Sequence, residues 1–222
     1  LALVLVGGNF SYTQTSDKYN SKYENFFRAE ELYSKQQFSA ARIEFRNFIN
    51  NFQEKNDPYF IKALYYEGIS ALELFNNDAI PLLESFNRNY PESIDKHAIY
   101  FKIGKYYYQK KDYKTTLFWF NQLSKYNLDK EDLDEYFFKL GYSQFEQGDF
   151  LAARNSFFEV KDGLSTYAPP ALYNYSHIAY EDKSYQTALE GFEKLVLIQE
   201  FKQISQNYII QIYYRLGRFE DV

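Results

Sequence analysis

The side chains with the clearest capacity for chemistry are two histidines and one acidic run. His97 and His177 lie far apart in the sequence and share no metal-binding or acid–base motif such as HExxH. Five carboxylates occur between residues 129 and 135, and negative charge of this kind stabilises the first turn of a helix. We therefore interpret the run as a helix start with a solvated face, and both histidines as ordinary helix residues.

Other catalytic signatures are missing from the sequence. It contains no glycine-rich phosphate loop and no GxSxG nucleophile elbow. The absence of cysteine excludes disulfides, thiolate metal sites and a cysteine nucleophile. We expect a protein that is not an enzyme and that binds no cofactor and no metal.

Composition narrows the class further. The 222 residues are 45% hydrophobic, which is ordinary for a folded chain, and include 24 Tyr and 22 Phe but one Trp. Much of the packing must therefore be ring against ring. The net charge is −5, whereas nucleic-acid binding needs an excess of Lys and Arg. We expect no nucleic-acid partner.

The amino-terminal residues resemble the end of an export signal. The apolar run LALVLVGG is followed by Ser11 and Thr13, at the −3 and −1 positions of a signal-peptidase site. We predict that residues 1–21 are a signal-peptide remnant and tail; a frayed hydrophobic strand or a tag remnant is the alternative. The run is too short for a membrane span, which needs about 20 apolar residues, so we expect no integral membrane segment.

A repeat with steps of 34 to 38 residues organises the rest of the chain. A small or short residue recurs, which we call the second small position: Ala41, Ala79, Thr116, Ala153, Ala188 and Val222. Eleven or twelve residues earlier lies the first small position: Ala29, Gly68, Gly104, Gly141 and Ser176. An apolar position follows the second small position by four residues: Phe45, Leu83, Phe120, Phe157 and Phe192. A period of this length is typical of stacked helix pairs.

These residues resemble the tetratricopeptide repeat (TPR) family over residues 22–222. An aromatic three residues before the second small position, as at Phe150, belongs to the same pattern. So do glycines in the turn between the helices, Gly148 and Gly217, and Pro91 after a second helix. The resemblance implies an all-α fold: an α-solenoid, a right-handed superhelix of about five and a half TPR-like hairpins, truncated in its sixth repeat.

Two packing contacts are predicted from this register. The two small positions should meet where paired helices cross, so Gly141 should contact Ala153. Arg28 and Glu67 occupy equivalent places on neighbouring first helices, where apolar residues are expected. We predict either a partly buried ion pair between them or a register slip that leaves both side chains solvated.

The resemblance implies that the first helix of each pair lines a concave groove. Transferring the family's groove positions to repeats three to five gives nine candidate partner-binding residues: Phe101, Lys105, Tyr108, Phe138, Tyr142, Phe145, Tyr173, His177 and Tyr180. Seven of the nine are Tyr or Phe, residues that favour peptide binding. The alternative is that the rings fill space between helices. The Lys and Asn set that binds a terminal carboxylate in chaperone-binding TPR proteins is not reproduced.

The resulting expectation is a non-enzymatic protein–protein interaction scaffold that binds a peptide or partner segment in an aromatic groove. Its resemblance to envelope-associated bacterial TPR proteins implies a periplasmic or outer-membrane-associated location. Two alternatives stay open: a cytosolic TPR adaptor, and the TPR portion of a larger carbohydrate-uptake binding protein. The oligomeric state does not follow from the sequence.

Overall fold

The structure, a computed structural model, describes residues 13–221, and no strand occurs among them. These residues fall into two compact units that divide after residue 96. The first unit contains α1 (Thr13–Ser34), α2 (Phe38–Asn51), α3 (Pro58–Glu73) and α4 (Ala79–Asn89). The second contains α5 (Lys96–Gln109), α6 (Tyr113–Phe120), α7 (Lys130–Glu146), α8 (Phe150–Phe158), α9 (Ala168–Glu181), α10 (Tyr185–Leu195) and α11 (Lys202–Leu216), with short 3₁₀ helices at Lys125–Asn127 and Phe219–Asp221.

The helices pack as consecutive antiparallel pairs, which confirms the predicted all-α array of helix hairpins. Within the first unit α2 contacts α1 and α3, and within the second α8 contacts α7 and α9, while α10 contacts α9 and α11. Helix α4 ends at Asn89, two residues before Pro91, as predicted. The first helix begins at Thr13; the rest of the predicted signal remnant, residues 1–12, lies outside the described residues.

The turn inside each hairpin contains one residue in the left-handed conformation. Gly148 (φ 80°) and Gly217 (φ 71°) occupy this place in two turns, as predicted. The other four turns have a φ between 55° and 60° at residues that carry side chains: Gln36, Phe75, Lys111 and Lys183. A left-handed residue other than glycine costs about 1 to 2 kcal/mol. The hairpin packing therefore imposes this conformation even where glycine is absent.

Five of these turns are bridged by a pair of aromatic rings. The first ring lies near the end of the first helix and the second ring at the start of the next helix, as in Phe145 and Phe150, whose centroids are 5.3 Å apart. All five pairs are T-shaped, with centroids 5.3 to 5.8 Å apart: Tyr33–Phe38, Tyr108–Tyr113, Phe145–Phe150, Tyr180–Tyr185 and Tyr214–Phe219. The recurring aromatic before the second small position thus supports the turn.

The predicted contact between Gly141 and Ala153 stays a prediction, because other side chains come nearest to the first small position. The atoms nearest to a Cβ placed on Gly141 belong to Phe157 and Ser156, at 3.0 to 3.1 Å, and not to Ala153. A Cβ on Gly104 would lie 2.2 Å from Cε1 of Phe120. Glycine at the first small position therefore makes room for the side chain at the apolar position, because a long ring reaches further across the crossing than alanine does.

The predicted ion pair between Arg28 and Glu67 is wrong. Arg28 donates to Glu44, with a nitrogen–oxygen distance of 2.6 Å. Glu67 is only 5% exposed and accepts two hydrogen bonds, of 2.7 and 2.9 Å, from Arg46. The guanidinium of Arg42 lies 3.9 Å from the same carboxylate. Glu67 is therefore paired with arginines of α2, which packs directly against its own helix α3.

Candidate protein-binding surface of the second unit

The first helices of successive hairpins in the second unit touch one another through the predicted groove residues. Between α5 and α7, Lys105 donates to Glu135 over 2.7 Å, and the rings of Tyr108 and Tyr142 lie 6.0 Å apart. Between α7 and α9, the rings of Phe145 and His177 are 6.1 Å apart. These contacts form a continuous strip along α5, α7 and α9, which α11 extends.

One part of the strip is a group of aromatic rings around Lys139, which we call the lysine cluster: Tyr108, Tyr113, Phe138, Tyr142, Tyr167 and Lys139. The ammonium of Lys139 lies 4.4 Å from the centroid of Tyr108 and 3.4 Å from Oε1 of Glu135. Burial lowers the pKa of Lys139, and the nearby Glu135 opposes that shift. The charge is thus held against rings and one carboxylate instead of water.

The second part is a group around His177, which we call the histidine cluster: Phe145, Tyr173, His177, Tyr180 and Tyr208. The hydroxyl of Tyr208 lies 3.0 Å from Nδ1 of His177, and the ring of Tyr173 is parallel to that of His177 within 6°. Tyr180 donates to the side chain of Gln211 over 3.0 Å. Burial raises the pKa of Tyr208 to about 12, with smaller contributions from Tyr173 and Glu181.

A pocket opens beside the histidine cluster, at the turn between α7 and α8. Its volume is about 310 Å³, close to the lower end of the range of ligand sites. Its lining is Phe145, Phe150, His177, Ile178, Glu181 and Asp182. The walls are therefore aromatic and aliphatic, and the two carboxylates come from the end of α9 and its cap.

The structure brings together most of the predicted site residues, but not all of them as a surface. Phe101 is 3% exposed and packs against Phe120 and Tyr136, so it belongs to the core. Lys105 is engaged by Glu135. The other seven are partly exposed and divide between the two clusters. Contacts between rings of adjacent helices account for part of their burial, as the space-filling alternative expects.

Sequence reasoning missed Lys139, Tyr208 and Phe150 as members of this surface. The first two share a position in the repeat that could have indicated them. Lys139 lies two residues before the first small position of its repeat, and Tyr208 lies two residues before the equivalent position in the sixth repeat. From there each reaches back to a tyrosine of the preceding first helix: Lys139 to Tyr108 and Tyr208 to Tyr180. Phe150 belongs to the repeat pattern, but the pattern does not indicate that its ring is half-exposed.

The described helices offer neither a metal centre nor a membrane span. Between residues 13 and 221 no three His, Cys, Asp or Glu side chains are grouped as ligands for a metal ion. In that part of the chain, too, the helices are each too short or too polar to cross a bilayer. The acidic residues 129–135 lie at the start of α7, as predicted, with Asp129 as its cap residue.

The solved structures that this chain is similar to include TPR proteins. The C-terminal part of a TPR repeat-containing protein from Cytophaga hutchinsonii is 18% identical, with a TM-score of 0.60 over 93% of this chain and 81% of that one. A thermophilic TPR protein from Thermus thermophilus is 13% identical, with a TM-score of 0.44 over 85% and 99%. The Cut9–Hcn1 hetero-tetramer of the APC/C is 19% identical, with a TM-score of 0.48 over 87% and 36%.

No family model and no curated protein matches the sequence. The fold assignment rests on the first of the structural likenesses together with the repeated hairpins. The chain therefore has the tetratricopeptide-repeat fold, an all-α solenoid architecture. This is the class of repeat proteins in which each hairpin is stabilised mainly by its neighbours.

Proposed function

We propose that the chain is a non-enzymatic scaffold that binds a peptide or a segment of a partner protein along α7, α9 and α11. The observation that carries the proposal is the strip of partly exposed Tyr, Phe and His rings of the two clusters, with a pocket beside it. Tyrosine and phenylalanine supply large rigid contact areas at low entropic cost, and such residues provide most of the affinity in protein interfaces.

The TPR fold supports this proposal, because stacked helix pairs present an extended surface of successive first helices. The packing of the rings adds a second kind of support. Rings that are partly buried between helices are already fixed, so a partner gains contact area without the entropic cost of immobilising them. The hydroxyl groups of Tyr142 and Tyr180 add polar edges to this partly exposed surface, which suits the mixed contacts that tyrosine makes in interfaces.

Selection of binders from a random peptide display library tests the proposal. Peptides enriched on the wild-type chain should bind Tyr142→Ala and Tyr180→Ala variants about tenfold more weakly or worse. Phe118→Ala is the matched control, since Phe118 is an exposed ring on α6 that packs on Trp119, which belongs to neither cluster. Phe138 is left unchanged because its ring packs on the buried Phe157, with centroids 6.0 Å apart.

Circular dichroism and urea unfolding of each variant establish that it is folded before its affinity is compared. If the two tyrosine variants bind as the wild type does, the strip is not the binding surface. The same conclusion follows if Phe118→Ala reduces binding as much as they do. A library that yields no peptide above background would remove peptide binding itself.

We also propose that the protein is exported to the bacterial cell envelope. The apolar run at residues 1–8 and the small residues at 11 and 13 support this location. Fractionation of cells that express the complete gene with a carboxy-terminal tag provides the test. We expect the protein in the periplasmic or outer-membrane fraction, and its recovery in the cytosol would contradict export.

A further inference from the structure

The pocket beside the histidine cluster is lined by aromatic rings and one aliphatic side chain. Phe145 and Phe150 form one wall as a T-shaped pair, with ring centroids 5.3 Å apart. His177 forms a second wall, its ring 6.1 Å from Phe145, and is held in place by the hydroxyl of Tyr208. The side chain of Ile178 is buried and adds an apolar surface.

Two carboxylates at the pocket give it a negative rim. Asp182 lies 3.8 Å from Nη1 of Arg154, and that guanidinium also lies 5.2 Å from the ring of Tyr175. Within the described residues Glu181 makes no ion pair. The lining therefore includes two carboxylates, of which one contacts a guanidinium, on a chain whose net charge is −5.

Apolar walls and an acidic rim together select a particular kind of side chain. Lysine and arginine combine a methylene stem, which packs on apolar surface, with a terminal cation that remains near solvent. Aromatic ring faces attract the same cations. An acidic side chain would be repelled by Glu181. A purely apolar side chain would displace water from the carboxylates without offering them a hydrogen bond or a charge in its place.

We propose that this pocket binds a lysine or arginine side chain of the partner segment. The stem lies against Phe145 and Phe150, and the cation lies between the rings and the carboxylates of Glu181 and Asp182. This assignment rests on the proposed peptide-binding function and adds to it the chemistry of one anchor residue, for a partner with a basic side chain.

The same display library tests the anchor. Peptides enriched on the wild-type chain should share one Lys or Arg, and its replacement by norleucine should weaken binding about fivefold. Glu181→Gln should weaken the basic peptide to a similar degree and leave the norleucine peptide nearly unchanged. Glu193→Gln on α10 is the matched control, because Glu193 is exposed but does not line the pocket.

Two results separate this inference from the proposed peptide-binding function on which it rests. Peptides that lack a common basic residue, yet lose affinity on Tyr142→Ala, would overturn the basic anchor and retain the binding strip. Equal losses on Glu181→Gln and Glu193→Gln would overturn it as well, since they would indicate general charge attraction. Glu181 is exposed, so its variant should fold as the wild type does.

A direct probe of the pocket does not depend on finding a peptide. Nα-acetyl-lysine N-methylamide, titrated at millimolar concentration, should shift the NMR signal of the Ile178 methyl groups. The norleucine counterpart and the Glu181→Gln variant should show little shift. Equal shifts with both compounds, or none with either, would overturn the basic anchor whatever the display library yields.

Discussion

Gly104→Ala gives the sharpest test of how the hairpins pack. Alanine stabilises a helix by about 1 kcal/mol relative to glycine. Its Cβ, however, would lie 2.2 and 2.4 Å from two ring carbons of Phe120, which is fully buried. Ordinary carbon–carbon contacts are about 3.5 to 4.0 Å, so the ring must shift by more than about 1 Å. Overpacking of this degree costs about 3 kcal/mol, and we expect a net loss of about 2 kcal/mol.

Gly141→Ala is the matched substitution, because its Cβ would meet the ring of Phe157 at 3.0 Å. That ring needs to move only a few tenths of an ångström, so the cost of about 1 kcal/mol is offset by the gain in helix propensity. Urea unfolding followed by circular dichroism measures both variants. The fluorescence of Trp119, next to Phe120 on α6, reports on the site itself.

A double variant completes the test. Adding Phe120→Leu to Gly104→Ala should recover about 1 kcal/mol or more relative to additivity, because the smaller side chain removes the overlap. Two results would contradict this reasoning: equal stability of Gly104→Ala and Gly141→Ala, or additive effects of Gly104→Ala and Phe120→Leu. Either would show that glycine at the first small position is not needed to make room for the apolar side chain.

Three other perturbations have defined outcomes. Glu67→Gln should lower the free energy of unfolding in urea by about 1 to 2 kcal/mol, because it removes the charge that Arg46 pairs with; an unchanged value would contradict the pairing. Lys183→Gly should raise the thermal midpoint, since the left-handed turn strains a residue with a Cβ; a lower midpoint would show that the turn is unstrained. Burial raises the pKa of Tyr33 to about 12, so the unfolded chain loses its proton first and stability falls between pH about 10 and 12. Tyr33→Phe should recover about 1 kcal/mol at pH 11 in urea titrations, and no difference from wild type would argue against the raised pKa.

The parts of the fold that the sequence predicts are those set by local chemistry. The period of small and aromatic residues indicates paired helices, and the structure contains them. Gly148 and Gly217 mark two turns because glycine adopts positive φ without strain. The same turn at Lys111 and Lys183 was invisible, because there the packing of the hairpin, and not the residue type, determines φ.

The errors concern which side chain reaches which. A small residue indicates that something approaches it closely, but not what approaches. In the helix crossing a ring from the apolar position extends further than the alanine one turn earlier, so the ring of Phe157 comes nearest to Gly141. Long charged side chains are even less predictable, since Arg28 pairs with Glu44 on α2 and not with Glu67 on α3.

Phe101 and Tyr180 illustrate why the candidate site could be predicted only in outline. Both were assigned by the same register to the groove side of a first helix. Phe101 turns its ring towards Phe120 and Tyr136 and is buried in the core. Tyr180 remains partly exposed because its hydroxyl is held at the surface by Gln211. A helical register fixes the direction of Cα–Cβ, whereas the ring's final position depends on the space that neighbouring helices leave.

The rings of the two clusters have two roles that one substitution cannot separate. Tyr142 supports α5 through Tyr108 and is also a proposed contact for a partner, so its removal alters both stability and binding. Glu181 differs, because it lines the pocket from an exposed position and its carboxylate is not part of the packing between described helices. A Glu181 variant that binds more weakly but is equally stable would therefore report on recognition alone. This measurement distinguishes a binding surface from a solenoid that is merely rich in aromatic rings.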